Sequence, residues 1–216
     1  MKNWREKKTS EKLIESLVQL KENDVLRIAK EKIKSGEEPV KVLEAMRRGM
    51  EKIGSKYEKG EYFIAELIMS AEIFKEVMEI VKPKLSKDDL KPLGKLVIGT
   101  VQGDVHDIGK NIIATLLEAN GFEVYDLGVD VAPESFVKKI KETNSKIVCM
   151  SGLLTASFEG MKKTVDAITE TGLRNKVKIV VGGNPVGERI AKYVGADAWA
   201  NNATEGVRII KGWVSK

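Results

Sequence analysis

Residues 96–120 read LVIGTVQGDVHDIGKNIIATLLEAN, and this stretch decides the fold class. Its first part, residues 96–101, is a short apolar run typical of a buried strand. Residues 108–120 carry apolar side chains at helical spacing, and only a short loop separates them from the run. A strand that passes through a short loop into a helix is the repeating unit of a parallel α/β sheet.

The same alternation continues downstream of this stretch. Parallel strands joined by right-handed crossovers predict a doubly wound, flavodoxin-like α/β domain with a five-stranded sheet over residues 92–216. Ligands of such sheets bind beyond the carboxyl ends of the strands, so the loops after the first, third and fourth strands are the candidate site. The further apolar runs are 124–127, 147–150, 177–181 and a weaker 196–200, and the helical segments lie near 133–142, 156–171, 186–194 and 204–214.

The upstream part of the sequence, residues 9–85, has a helical period throughout. Four amphipathic helices with short connections predict an up-and-down bundle. Asn23 or Asp24 can cap the second helix, and Pro39 suits the first turn of the third. Residues 82–94 are charged, hold two prolines and predict a linker. We therefore expect a helical-bundle domain over 1–88 and an α/β domain over 92–216.

Composition and charge restrict the class of protein. With 216 residues, of which 42% are hydrophobic and 32% charged, the chain is expected to be globular. The net charge of +5 comes from 37 basic and 32 acidic residues that alternate along the sequence, which argues against nucleic-acid binding. No apolar run approaches the ~20 residues of a membrane helix, and the first residues lack the apolar core of a signal peptide. We expect a cytoplasmic location and no membrane partner.

The sequence has one cysteine, Cys149, and one histidine, His106. An intrachain disulfide and a His/Cys zinc cluster within one chain are thereby excluded. His106 lies in the first candidate loop, within Asp104-x-His106-x-x-Gly109. The glycine and lysine spacing of this loop does not match a phosphate loop. A histidine there can offer one ring nitrogen to a metal while Asp104 accepts a hydrogen bond from the other; a capping aspartate beside a surface histidine is the alternative.

The second and third candidate loops carry weaker signals. Ser151-Gly152-Leu153-Leu154-Thr155-Ala156-Ser157 follows the third strand and, taken alone, is typical of a helix cap. Gly182-Gly183-Asn184-Pro185 follows the fourth strand. Paired glycines let the backbone approach a ligand closely, and they also occur in tight turns. The residues alone leave both alternatives open for each loop.

Taken together and in this order, Asp104-x-His106-x-x-Gly109, Ser151-x-Leu153 and Gly182-Gly183 resemble the cobalamin-binding fingerprint of corrinoid proteins and of cobalamin-dependent methionine synthase. The upstream helical segment resembles the cap domain that precedes this module in the methyl-transferring branch. The likeness extends from about residue 10 to residue 214. The sequence is therefore similar to the small corrinoid subunits of methyltransferase systems, which handle methanol, methylamines or methoxylated aromatics.

The resemblance implies a cobalamin or related corrinoid cofactor, with His106 as the axial cobalt ligand, Asp104 bonded to His106, and Ser157 completing the hydrogen-bonded relay. In the bundle it implies cap contacts from Tyr57, Ile64 and Leu67, for which ordinary bundle core is the alternative. The sequence departs from methionine synthase at Tyr57, which is phenylalanine there, and at Ala65, which is proline there. The other cofactor-binding residues that it implies are Gly103, Val105, Asp107, Ile108, Gly109, Ser151, Leu153, Thr155, Gly182, Gly183 and Asn184.

The chemistry implied by the resemblance is methyl transfer. Cobalt(I) would accept a methyl group from a donor, and methylcobalt(III) would pass it to an acceptor such as tetrahydrofolate or a thiol. The implied partners are a substrate-specific methyltransferase, a second methyltransferase that serves the acceptor, and a reductive activase. Alone, the chain would be inactive or weakly active.

Three alternatives belong to other classes of protein. A subunit of an adenosylcobalamin mutase would need a large barrel to confine radicals. A cobalamin-dependent regulator would need a DNA-binding module, for which few residues precede the bundle, and we expect no nucleic-acid partner. A flavodoxin-like signalling or nucleotide-binding domain explains neither the bundle nor the pair of Asp104 and His106.

Overall fold

A computed structural model describes residues 2–86, 89 and 91–214, without the side chains of residues 2–9. The chain divides into two compact units, Met1–Lys91 and Pro92–Lys216. The division falls within the predicted linker 82–94, of which residues 87, 88 and 90 lie outside the described part. Within the described residues, no helix has the length and apolar character needed to cross a bilayer.

The first unit is a four-helix bundle, as the sequence predicts. Its core is formed by aliphatic side chains such as Leu17, Val25 and Ile53, which are fully excluded from solvent. The helices are α1 (Lys2–Val18), α2 (Glu22–Lys34), α3 (Pro39–Glu58) and α4 (Ile64–Val81), followed by a 3-10 turn at Lys82–Lys84.

The helix ends of the bundle differ from the prediction at one point. Pro39 occupies the first turn of α3, as expected. The predicted cap of α2 at Asn23 or Asp24 is wrong, because α2 begins at Glu22 and Lys21 precedes it. Asp24 lies inside the first turn instead, where a carboxylate interacts favourably with the positive end of the helix dipole.

The order of the helices around the bundle also differs from a simple up-and-down ring. α1 packs on α2 and α3, and α4 packs on the same two helices, so that α2 and α3 lie diagonally. An up-and-down ring would place α2 beside α3. Gly49 of α3 is one reason for the observed order, because a Cβ there would lie 2.7 Å from Cδ2 of Leu17. The glycine lets α1 approach α3 closely.

The second unit is the predicted doubly wound domain. Its five strands are all parallel and follow the order β2-β1-β3-β4-β5, which is the flavodoxin-like order. In the register of the sheet Thr100 pairs with Ser151, and Ser151 pairs with Gly182, so three strands end side by side. The strands are β1 (Lys95–Thr100), β2 (Glu123–Asp126), β3 (Ile147–Ser151), β4 (Lys178–Gly182) and β5 (Ala198–Ala200).

Helices cover both faces of this sheet. α5 packs against α9, whereas α6, α7 and α8 pack in sequence against one another. A buried apolar cluster includes Phe136, Met161 and Ile179, and the residues of β1, β3 and β4 are mostly buried. The helices are α5 (Ile108–Ala119), α6 (Pro133–Thr143), α7 (Ser157–Glu170), α8 (Glu188–Val194) and α9 (Ala203–Val214). Their ends, and those of the strands, differ only slightly from the predicted ones.

Candidate functional site

The loops after β1, β3 and β4 leave the sheet at neighbouring positions, because Thr100, Ser151 and Gly182 are paired in register. The β1–α5 loop turns at Gly103, which has a left-handed φ of +85°. It carries Asp104 and His106 in very different environments. The side chain of Asp104 is 0% exposed, whereas that of His106 is 48% exposed.

The buried carboxylate of Asp104 accepts five hydrogen bonds. Its Oδ1 accepts from the backbone N–H of His106 at 3.0 Å and lies 2.6 Å from His106 Nδ1. Its Oδ2 accepts from the Ser157 hydroxyl at 2.6 Å and from the N–H groups of Leu153 and Leu154 at 2.6 and 3.2 Å. The β1–α5 loop and the β3–α7 loop are therefore joined through this carboxylate.

The environment of Asp104 keeps the carboxylate ionised. Burial alone would raise the pKa of Asp104. The hydrogen bonds from Ser157, from the backbone N–H and the ring Nδ1 of His106, and from the N–H of Leu153 outweigh burial and lower this pKa. Asp104 is not a helix cap, since Asp107 precedes α5 and makes no side-chain cap either. The interpretation of Asp104 as a loop cap is wrong.

The ionised carboxylate fixes the tautomer of His106. A carboxylate only accepts hydrogen bonds, so Nδ1 carries a proton, and in the neutral imidazole Nε2 is the nitrogen with the lone pair. The backbone of His106 is held as well, because the buried hydroxyl of Thr100 donates to its carbonyl oxygen at 2.8 Å. The ring and the backbone of His106 are thus both held by hydrogen bonds, while its side chain is 48% exposed.

The donor set fits a metal that brings its own equatorial ligands. No group of three or more His, Cys, Asp or Glu side chains suited to a metal ion occurs within residues 2–86, 89 and 91–214. A bare zinc or iron ion needs several protein ligands, whereas a metal in a tetrapyrrole-like ring needs one or two axial ones. A single accessible imidazole meets the second requirement.

Exposed apolar side chains lie in the same two loops as His106 and its hydrogen-bond partners. Val105 and Ile108 in the first loop are 68% and 73% exposed, and Leu153 and Leu154 in the second are 42% and 44% exposed. An exposed group of this kind indicates a binding surface. Its apolar character matches the face of a large flat ring, so the residues present fit a corrinoid.

Glycines bring the second and third loops into contact. A Cβ on Gly183, which has φ +137°, would lie 1.9 Å from the carbonyl oxygen of Gly152. A Cβ on Gly152 would lie 2.6 Å from Cβ of Ser157. Gly183 is therefore required for a close approach between two backbones. At the third loop Gly182 and Gly183 are half-buried and Asn184 is exposed.

The second loop is not a helix cap. α7 begins at Ser157, and the residue before it, Ala156, makes no side-chain cap. Ser157 directs its hydroxyl to Asp104 and accepts from the N–H of Leu154 at 3.2 Å. Ser151 is half-buried at the end of β3, and Thr155 is exposed without a contact to Asp104. The capping interpretation is wrong because the loop binds a buried carboxylate.

The three predicted cap residues lie in the first unit and differ in exposure. Tyr57 is half-buried near the end of α3, and Ile64 is 46% exposed at the start of α4. Leu67 is 1% exposed and belongs to the bundle core, so its assignment as a cofactor contact is not supported. The exposed apolar residues at this end of α4 are Phe63, Ile64, Ile68 and Met69.

Three contributions to the site were not predicted from the sequence. The sequence marks Thr100 only as the end of a strand, whereas in the structure its hydroxyl donates a hydrogen bond to the carbonyl oxygen of His106. Leu154 contributes a backbone N–H, which carries no side-chain signal. Asp130 contacts the first loop from a distant part of the sequence. Each acts through tertiary proximity that local spacing does not encode.

A flavodoxin-like domain with a single oriented imidazole and an apolar surface at the strand ends defines the class of cobalamin-binding domains. The profile of the B12 binding domain family matches residues 94–208, and a second profile with the same description matches residues 9–82. The chain belongs to this family and, within it, to the corrinoid proteins of methyltransferase systems. Its cofactor is cobalamin or a related corrinoid.

Relatives and solved structures support this placement. The chain is 38% identical to dimethylamine corrinoid protein 1 of Methanosarcina mazei over 199 residues, which cover 91% of this chain and 92% of that protein. A cobalamin-binding protein from Desulfitobacterium hafniense has 39% identity and a TM-score of 0.83, covering 94% of this chain and 98% of that one. The methanol:cobalamin methyltransferase complex of Methanosarcina barkeri has 26% identity and a TM-score of 0.84, covering 96% and 80%.

Proposed function

We propose that this chain is the corrinoid-carrying subunit of a methyltransferase system and that His106 is the axial cobalt ligand. The observation that carries the proposal is the hydrogen bond between His106 Nδ1 and the buried, ionised Asp104, which leaves Nε2 on an apolar surface. When bound, the corrinoid supplies a cobalt centre that accepts a methyl group and gives it up.

The protein residues would orient the ligand and retain its proton. Asp104 would keep the proton on Nδ1, so that Nε2 is the ring nitrogen offered to the cobalt. The hydroxyl of Ser157 and the N–H groups of Leu153 and Leu154 stabilise the charged carboxylate and keep it in place. Gly152 and Gly183 let the second and third loops come together. We propose that the neighbouring half-buried Ser151 and Gly182 contact the displaced nucleotide tail of the corrinoid.

We assign the other contacts to the lower face of the corrinoid, the face that His106 would ligate, from the same loops. Val105, Ile108 and Leu153 offer exposed apolar surface, in keeping with contacts to the corrin ring. The remaining predicted contacts are Gly103, Asp107, Gly109, Thr155 and Asn184, all of them exposed. The role of the bundle as a cap stays a prediction from the resemblance.

The proposed partners follow from what the relatives are. A dimethylamine corrinoid protein and a methanol:cobalamin methyltransferase complex suggest a methylamine or methanol as the methyl donor, presented by a separate methyltransferase. We further propose a second methyltransferase for the acceptor, tetrahydrofolate or a thiol, and a reductive activase.

Axial ligation can be tested on one labelled residue. His106 is the only histidine in the sequence, so ¹⁵N-histidine labelling of tag-free protein marks a single imidazole. After reconstitution with hydroxocobalamin and reduction to cobalt(II), the paramagnetic spectrum should show coupling to one ¹⁵N nucleus. His106→Ala should abolish this coupling, with Asp166→Asn, at an exposed position of α7 outside the three loops, as the control. A wild-type spectrum without ¹⁵N coupling contradicts the assignment.

The carrier role is tested separately. The reduced protein should accept methyl groups from dimethylamine, trimethylamine or methanol when the matching methyltransferase is present, and turn over weakly without it. Radical isomerisation with a large partner would favour a mutase subunit instead. Sequence-specific DNA binding that responds to corrinoid would favour a regulator.

A further inference from the structure

The loop between β2 and α6 packs along the turn that carries Asp104. The N–H of Thr100 donates to the carbonyl of Gly128 at 3.0 Å, and the N–H of Val131 donates to the carbonyl of Thr100 at 3.0 Å. An isolated parallel bridge joins Val101 and Val131. The β2–α6 loop therefore extends the sheet by one step beside the first loop.

Asp130 makes two contacts from this loop to adjacent residues of the turn. Its carboxylate Oδ1 accepts from the N–H of Gly103 at 2.7 Å. Its own N–H donates to the carbonyl oxygen of Asp104 at 2.9 Å. One residue thus restrains the backbone on both sides of the Asp104 α-carbon, and the bond to a carboxylate is the stronger, charge-assisted kind.

The backbone of Asp130 indicates that this arrangement is specific. Its φ is +51°, a left-handed value that is uncommon outside glycine and best tolerated by Asn and Asp. The residue is exposed, so no core packing forces it into that conformation. Two hydrogen bonds to the turn stabilise this conformation, next to the buried and paired Val131.

We propose that Asp130 is a positioning residue for the cobalt ligand. By restraining Gly103 and the Asp104 backbone, it keeps the Asp104 carboxylate aligned with His106 Nδ1 and so keeps Nε2 as the coordinating nitrogen. Asp130 acts through Asp104, and none of its described contacts is to His106. This inference rests on the proposed function for the role of His106.

Two substitutions at Asp130 distinguish the effect of its side-chain acceptor from the effect of its left-handed backbone conformation. Asp130→Asn keeps a side-chain oxygen and tolerates a left-handed φ. Asp130→Gly removes the acceptor but adopts that φ without strain and retains the N–H bonded to Asp104. The matched control is Asn144→Gly, because Asn144 is also exposed, has φ +54° and follows α6.

The first measurement uses the protein without corrinoid. Imidazole ¹⁵N shifts of His106 at pH 8 should show the Nδ1–H tautomer in wild type, Asp130→Asn and Asn144→Gly. Asp130→Gly should show an increased fraction of the Nε2–H tautomer. The urea midpoint of Asp130→Gly should fall no further than that of Asn144→Gly, which separates misalignment from a loss of stability.

The second measurement uses the cobalt(II) protein. Asp130→Gly should weaken axial ¹⁵N coordination by about 10-fold, the low end of the range for a lost partner behind a metal ligand. Asp130→Asn should restore it. A wild-type tautomer together with full coordination in Asp130→Gly overturns the proposal, and so does an equal loss in Asp130→Asn. Absence of ¹⁵N coupling in wild type would refute the proposed function, whereas the tautomer measurement still tests Asp130.

Discussion

At the scale of single residues, the site depends on a carboxylate that only accepts hydrogen bonds. Asp104 accepts hydrogen bonds from five donors, two at Oδ1 and three at Oδ2. In Asp104→Asn an NH₂ group would replace one of these oxygens and would face donors that it cannot accept from. We expect Asp104→Asn to retain the corrinoid but weaken His106 ligation by about 10–100-fold and shift the cobalt(II)/cobalt(I) potential. Spectroelectrochemical titration measures both. A potential equal to that of wild type, and of the Asp166→Asn control on α7, would reduce Asp104 to a loop residue.

The lowered pKa of Asp104 also predicts how stability depends on pH. The folded state holds the carboxylate ionised below its usual pKa, whereas the unfolded state takes up a proton near pH 4. The contribution is complete above about pH 5 and is lost as the pH falls further, because the unfolded state then binds more protons. Urea unfolding of the protein without corrinoid should show a smaller loss between pH 6 and pH 3.5 in Asp104→Asn than in wild type. Parallel curves would contradict this origin of the acid sensitivity.

Cys149 is predicted to be unreactive in the folded protein. It lies in β3, fully buried, and burial raises the pKa of its thiol to about 12. The thiolate is the reactive form, so its fraction at pH 8 is negligible. An aromatic disulfide reagent should label one thiol per chain after denaturation and none before it. Rapid labelling of the native protein would show that β3 opens readily.

The spacing of residues predicted part of the site and could not predict the rest. Spacing singled out Asp104 and His106, the family resemblance implied the role of Ser157, and the structure brings all three together. Thr100 and Asp130 act on backbone atoms of that cluster. Their contributions depend on how two loops meet in space, which spacing along the chain does not contain.

At the scale of secondary-structure elements, close contact between loops depends on glycine. Gly183→Ala would place a methyl group 1.9 Å from the Gly152 oxygen at a φ of +137°. We expect a loss of stability of about 2 kcal/mol or more and weaker corrinoid binding, because the β3–α7 loop must move away from Asp104. Gly187→Ala is the control, since a Cβ there has no neighbour within 4 Å. Equal unfolding midpoints for the two variants would contradict the predicted clash.

Periodicity predicted the elements better than their arrangement. Right-handed crossovers restrict the strands of the second unit to a few neighbour patterns, and the predicted flavodoxin-like order is confirmed. No comparable rule orders four amphipathic helices. The close packing of α1 on α3 depends on Gly49, whose lack of a side chain leaves no apolar signal.

At the scale of the whole molecule, each unit has the features of an independently folding domain. The bundle buries its own aliphatic core, and the α/β unit has a complete sheet between two layers of helix. The hydrogen-bond partners of the Asp104 and His106 side chains among the described residues belong to the second unit. We therefore expect the second unit to retain the corrinoid without a contribution from the bundle to the face that His106 is proposed to ligate.

We expect a fragment of residues 92–216 to fold and to bind hydroxocobalamin with the ¹⁵N coupling of the full chain, because the relay from Ser157 through Asp104 to His106 is intact within it. Affinity is measured by equilibrium dialysis and coordination by the cobalt(II) spectrum. His106→Ala in the fragment is the control and should lose the coupling. A folded fragment that binds corrinoid without histidine coordination would mean that the first unit takes part in orienting the ligand. A fragment that fails to fold, judged by cooperative urea unfolding, would contradict the independence of the two units.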